Sequence, residues 1–347
     1  PLEYRQEIKA MSASWTHEFD EFGSPYERQM QYHSAHDIGH VLQDYMLVGC
    51  TSFAVWGKES ADSSLLMARN FDFYMGEEFA KNKLVLFEKP DSGYAYVSVT
   101  WPGMLGVVSG MNTEGLAVTI NASKLEVPSS SATPISILVK SILQYASNIE
   151  EAETIAASFK TFVCESILVG SANDGRAVII EKTPSAMDVY STGLSSSDKM
   201  DSSLGEAVNR VICTNHYQSD RFRDDPVNVE NIRVSDSGYR YRRVQQLLDS
   251  LGSIDYLKAA AVLRDIRGVD GEDVGHCNDL SVNQMLAMHS VIFKPAEKKI
   301  WVSTSPWQFG KFVCFDLDEV FGEWDESRNS FSEYAQFTGV SGSATHS

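Results

Sequence analysis

GCTSFAVWGKESADSSLLMARNFD, residues 49–72, decides the fold. It holds two β-rich runs, CTSFAVWG and SSLLMARNFDF, separated by the turn formers Gly57, Ser60 and Asp62, and it reads as an antiparallel hairpin. Upstream, residues 1–49 are rich in charge, His and Met, and Ile38, Val41, Leu42 and Tyr45 recur at helical spacing across 34–46. The change from helix to strand therefore falls at Gly49-Cys50. Downstream, KLVLFEK, YAYVSVTW, LGVVSGMN and GLAVTINAS give four more strands. Helices follow over 134–145 and 149–159, the second with Glu150, Glu151 and Glu153 in its first turn, where the helix dipole favours them. Strands resume at ESILVGSA, RAVIIEKT and AMDVYST, helices at 239–251 and 254–266, and HSVIFKP with KKIWVST reads as the last strand pair. Blocks of strands alternating with blocks of helices predict an α+β fold, helices packed over antiparallel sheets. The expected division is 1–49, a mainly helical propeptide or small chain, and 50–347, one catalytic domain whose Ser-rich tail after Glu323 is frayed.

Composition narrows the function. Twenty-nine basic against 47 acidic residues leave a net charge of -18, and no basic patch is concentrated enough to offset it, so nucleic acid and anionic lipid are poor partners. No run approaches the roughly 18 apolar residues of a membrane span. The five cysteines, Cys50, Cys164, Cys213, Cys277 and Cys314, are odd in number and form no C-x-x-C pair, which argues against a disulfide framework or a thiolate zinc site. The sequence starts at Pro1 without Met; export after loss of a signal peptide stays open, as do compartment and homo-oligomerisation.

Gly49-Cys50 carries the chemistry. Cutting this peptide bond would give Cys50 a free α-amino group, whose ordinary pKa of roughly 8 suits a general base near neutral pH, so nucleophile and base share one residue. Glycine in front removes a Cβ, letting the thiol reach its own preceding carbonyl in a strained backbone geometry. The acyl shift from N to S then yields a hydrolysable thioester. Arg69 and Asp72 follow one strand later as charged residues in a run otherwise fit for burial, where charge survives only when paired.

Together, Gly49-Cys50-TSFAVW, Ala68-Arg69-Asn70-Phe71-Asp72, GMNTEGL at 110–116, TIN at 119–121, CTNHY at 213–217 and YRYRR at 239–243 resemble the penicillin acyltransferase and choloylglycine hydrolase families. Both are N-terminal-nucleophile (Ntn) hydrolases with an αββα sandwich, and internal Gly-Cys cleavage resembles the first. The resemblance implies Cys50 as nucleophile, Arg69 and Asp72 beside the new amino terminus with Asp72 orienting the amine, Asn215 as oxyanion donor, Asn121 positioning the substrate carbonyl or leaving group, and Arg240 supporting the charge network. It implies a small N-acyl amide substrate and no cofactor. Aromatic residues near such a cleft, among them Phe53, Phe73 and Trp101, are suited to line an acyl pocket.

Three other readings compete. His36 and His40 at i and i+4 in HDIGH, with His33 a turn earlier, suit a metal-dependent hydrolase, although Asp37 replaces the usual Glu. A papain-like pairing would join Cys50 to His216 or His289. A non-catalytic binding protein retaining the fold would keep Cys50 unreactive.

Overall fold

A computed structural model describes residues 1–42, 49–73, 76–127, 131–192, 208–275, 278–322 and 336–337. Two helices, α1 (Leu2–Ser12) and α2 (Pro25–Leu42), precede the hairpin. β1 (Thr51–Gly57) and β2 (Ser63–Asp72) then pair antiparallel with Ser52 opposite Arg69. A strand's period of two sends their side chains to opposite faces. Ala54, Leu65 and Met67 enter one core, Phe53, Leu66 and Ala68 another.

The short α3 (Glu77–Lys81) leads into β3 (Leu84–Glu88), β4 (Tyr96–Thr100), β5 (Ser109–Asn112) and β6 (Leu116–Ala122). Next come α4 (Ile135–Tyr145), α5 (Ile149–Ser158), β7 (Glu165–Ser171), β8 (Arg176–Lys182), β9 (Met187–Tyr190) and β10 (Arg210–Cys213). The chain continues through α6 (Pro226–Val234), α7 (Ser237–Leu251), α8 (Tyr256–Leu263), β11 (Ala287–Lys294), β12 (Lys299–Ser303), β13 (Phe312–Asp316), α9 (Leu317–Phe321) and β14 (Gln336–Phe337).

The strands form two antiparallel sheets, ordered β10-β1-β2-β11-β12-β13-β14 and β3-β4-β5-β6-β7-β8-β9. Their facing sides share one core, in which Ala54, Met67 and Val291 of the first sheet meet Val97, Leu168 and Ile179 of the second. Ile135, Leu138 and Ile142 of α4 cover the second sheet's other face, against Val118 and Ile167. Val244 and Leu248 of α7 and Ala259 and Leu263 of α8 cover the first, against Phe53 and Ile292. The layers are therefore α, β, β, α, an α+β sandwich as the strand and helix blocks predict.

Several elements depart from the sequence reading. β11 and β12 are not the last pair, because β13 continues their sheet and β14 pairs with it. β10, only four residues long, is too short to show alternation, yet it flanks β1 with Cys213 opposite Ser52. The unexpected α6 is started by Asp225, which caps Val227 N, and by Pro226 in the first turn, signals that outweigh its β-branched content. Apart from β14, the tail after Glu323 lies outside the described residues.

The first 42 residues pack onto the body. Lys140 of α4, fully buried, bridges Glu7 of α1 at 2.9 Å and Glu88 of β3 at 2.7 Å, with Tyr4 and Tyr96 over its ammonium. From α2, Gln29 donates to Gly103 O, His33 Nε2 accepts from Leu105 N at 2.8 Å and Asp37 accepts from Ile135 N at 3.0 Å.

Candidate active site

Five elements converge on the start of β1. Cys50, 1% exposed, lies just before it; Arg69 and Asp72 stand on the neighbouring β2, Asn121 near the end of β6, Asn215 just after β10, and Arg240 in the first turns of α7. Arg69 Nη2 donates to Cys50 Sγ at 3.5 Å and to Ile120 O, while Nη1 reaches Val108 O at 2.8 Å and Ser109 Oγ at 2.6 Å. One guanidinium thus ties the thiol of the first sheet to two strands of the second.

Arg240 acts on the other side. Nη1 donates to Gly49 O, Cys50 O and Thr51 Oγ1, and Nη2 to Asn215 Oδ1, each at 2.8 Å. A fixed cation on the Gly49 carbonyl is where an oxyanion would form if the thiol added to it. Gln284 Nε2 adds a longer contact to the same oxygen at 3.5 Å. Close approach requires glycine at position 49, since a Cβ there would stand 2.5 Å from the buried Gln284 amide.

The electrostatics are those of a closed site. Burial pushes the Cys50 thiol above its ordinary pKa, and Arg69 partly offsets this. Burial also dominates at Asp72, whose carboxyl is pushed up to about 8 although Arg240 and then Arg69 pull it down. Among the described residues neither Asp72 carboxylate oxygen has a hydrogen-bond partner; its main-chain carbonyl accepts from Gly49 N at 3.4 Å and from the thiol at 3.8 Å. A buried carboxyl without a donor is a place prepared for a cation.

That placement has a pH signature. A folded-state pKa raised from 3.8 to about 8 means that protonation stabilises the fold fully below the lower value, and this is lost as pH rises through the upper one. In a Cys50→Ala background, Asp72→Asn removes the charging cost. Its Tm relative to the parent is expected to climb between pH 4 and pH 8; a gap that stays flat or closes would show that Asp72 does not titrate in this window.

Both asparagines are engaged in the intact chain. Asn121 Nδ2 donates to Cys213 O at 2.9 Å and its Oδ1 accepts from Ser52 at 3.1 Å; Asn215 Nδ2 donates to Ala122 O at 2.9 Å. Each amide nitrogen has a second N–H. Phe73 and Trp101 share a core with Cys50, joined by Phe71 at ring distances of 5.7 and 5.8 Å. Phe53 is not brought there. Three positions on from Cys50, it points to the opposite face, fully buried against α7 and α8. Phe53→Ala is expected to cost roughly 3–5 kcal/mol in chemical denaturation and to leave substrate preference unchanged.

Sequence reasoning missed Gln284, Ser109, Ser237 and Glu165. Ser237 Oγ accepts from Asn215 N at 2.7 Å. Glu165, fully buried with both carboxylate oxygens unpartnered, is pushed well above the usual carboxylate range by burial and then by Asp37, against the pull of Arg69. None of these stands in a distinctive motif; only the fold brings them in. His289 Nε2 meets Ser109 Oγ at 3.0 Å and so joins the thiol only through Ser109 and Arg69, while His216 Nδ1 meets Ser237 Oγ at 2.7 Å; neither of these bonds is made to the thiol itself. Burial lowers His216 to about 4 and His289 well below its ordinary value. The side chains of His36 and His40, like Cys277, lie outside the described residues, and among the described residues no group of three or more His, Cys, Asp or Glu is arranged to hold a metal ion. Within the same bounds, no helix is long and apolar enough to cross a membrane.

Comparison with known proteins gives the following. The family model described as acyl-coenzyme A:6-aminopenicillanic acid acyl-transferase matches residues 57–305, a span that includes Arg69, Asp72, Asn121, Asn215 and Arg240. A protein of Archaeoglobus fulgidus is 25% identical over 287 residues, 76% of this chain; the chain spans 45% of that relative's length. Among solved structures, a Caenorhabditis elegans N-acylethanolamine-hydrolyzing acid amidase ortholog aligns over 71% of this chain and 93% of its own, with TM-score 0.49 and 19% identity. The conjugated bile acid hydrolase of Clostridium perfringens aligns over 78% and 93% (TM-score 0.45, 14% identity), and the penicillin V acylase of Agrobacterium tumefaciens over 78% and 87% (TM-score 0.48, 14% identity).

Proposed function

Because this chain belongs to the acyl-coenzyme A:6-aminopenicillanic acid acyl-transferase family, we propose that it is a cysteine amidohydrolase or acyltransferase that matures by cutting itself between Gly49 and Cys50. The observation that carries this reading is the Arg240 guanidinium on the Gly49 carbonyl, with the Cys50 thiol between Arg69 and Asp72. In the maturation step the thiol sulfur adds to the Gly49 carbonyl carbon and Arg240 holds the oxyanion. The Gly49–Cys50 C–N bond breaks, the thiol proton leaves with the nitrogen, and a thioester remains. Water cleaves it to free the Gly49 carboxylate and the Cys50 thiol, and the Cys50 amine released in the shift is the new terminus. Asp72, lacking a donor before the cut, gains the new ammonium as its partner and orients it.

The same thiol then attacks a small N-acyl amide. The amine is expelled and the acyl group passes through a Cys50 thioester to water or to a second amine. Asn121 and Asn215 offer their remaining N–H groups to the substrate carbonyl, and Phe73 and Trp101 flank the acyl chain. Residues 1–49 serve as propeptide or small chain, and 50–347 as the catalytic domain.

Intact mass under denaturing conditions, after incubation at neutral pH, tests the reading. Active protein is expected as two pieces, 1–49 and 50–347. A chain that hydrolyses amides while remaining whole would sink it.

A further inference from the structure

An open pocket lies beyond the candidate centre. With a volume of about 610 Å³, it is lined by the segment after β6 (Glu126, Val127), the end of α5 and the turn before β7 (Phe159 to Thr161), and the segment joining β8 to β9 (Lys182 to Met187). Its charge is out of keeping with the chain. Lys160 and Lys182 against Glu126 leave a net +1 (two lysines minus one glutamate) on its lining, where the whole chain carries -18.

Lys182 is the unusual member. It is 5% exposed, and its ammonium has no ion-pair or hydrogen-bond partner among the described residues. Burial alone holds its pKa below the ordinary lysine value. An unpaired buried cation is costly unless something supplies its counter-charge. The one acid on the lining is already engaged by another lining residue: Glu126 accepts from Ser185 N and Oγ at 2.9 Å. Thr161, 1% exposed, stands on the same wall, its hydroxyl shut off from solvent and unpartnered among the described residues. Phe159, Ala157 and Met187 give the remaining wall an apolar character.

From these features we infer that the cavity is a binding site for a small organic acid, its carboxylate on Lys182 with Thr161 and Lys160 beside it and its apolar body against Phe159 and Met187. Two cations beside an apolar wall match a monoanion with a hydrocarbon portion. Its place in the fold is also defined. Lys182 pairs in register with Glu165, and Glu165 with Ala122, whose carbonyl takes the Asn215 amide at 2.9 Å. The ligand would sit two strands, about 10 Å, from the strand end that carries Asn121. This inference needs no cut at Gly49 and no nucleophile.

Hexanoate and hexanamide, equal in length and differing in charge, are the probes, titrated by calorimetry into the full chain and into its Cys50→Ala variant. Hexanoate is expected to bind both proteins alike and at least tenfold more tightly than hexanamide. Lys182→Met should lose at least tenfold of that affinity, Lys182→Arg should retain most of it, and Lys182→Met should melt no lower than the parent because it removes an unpaired buried charge. Should Lys182→Met fail to fold, Lys160→Met combined with Thr161→Val reads the same cavity and should also lose at least tenfold. Equal binding of acid and amide, or hexanoate binding untouched by the variants that fold, would overturn the site.

Discussion

Replacing Cys50 by alanine is expected to leave one uncut chain and no turnover, the largest effect of any single substitution here. In the proposed mechanism the side chain supplies the sulfur that adds to Gly49 and the thiol that later carries the acyl group, and no other described group takes its place: its neighbours are an arginine and a main-chain carbonyl. Cys164 and Cys314 are buried free thiols with no contact to that chemistry; Cys213, also buried and free, lies opposite Ser52 beside the site, and its main-chain carbonyl accepts from Asn121. Their replacement by alanine or serine should cost stability alone. Denaturing mass spectrometry and amide turnover read both outcomes, and a Cys50→Ala chain that still separates into two pieces would remove the thiol from the maturation step.

Arg240→Met is the second large effect. Four acceptors lose their donor at once, among them the scissile carbonyl oxygen, and the rate of cutting should fall by roughly 10²–10³-fold, the usual consequence of deleting an oxyanion donor. Arg240→Lys should not restore it. A single ammonium keeps the charge but cannot span acceptors that a planar fork reaches together. Thermal unfolding separates lost chemistry from lost structure, and a folded Arg240→Met chain that cuts at the parental rate would exclude the role.

The layers of the fold were legible because β1, β2, β6, β7 and β8 are long β-rich runs set between turn formers, as strands buried on both faces must be, and the apolar run of α4 reads plainly from Ile135 to Ile142. β10 and α6 were hidden, the first by brevity and the second because capping outweighed propensity. At the site, Arg69 and Asp72 announce themselves as charges in a strand with nowhere exposed to go. Phe53 misled because hydrophobicity says that a ring is buried, not on which face. Its odd offset from Cys50 was the available signal, since strand parity sends the two in opposite directions. Gln284 could not be read at all: it meets Gly49 across 235 positions through a packing contact that no local pattern encodes.

The span of the Arg240 contact also sets a clock. The carbonyl it grips was made 191 residues earlier, and at about 5–20 residues per second that gap is roughly 10–40 s of synthesis. Throughout that interval the nascent chain holds the bond without the group that would polarise it. Any cut that depends on Arg240 would therefore be a check made on the chain's beginning only once α7 has been added, and a chain that stalls on the ribosome before α7 is expected in one piece.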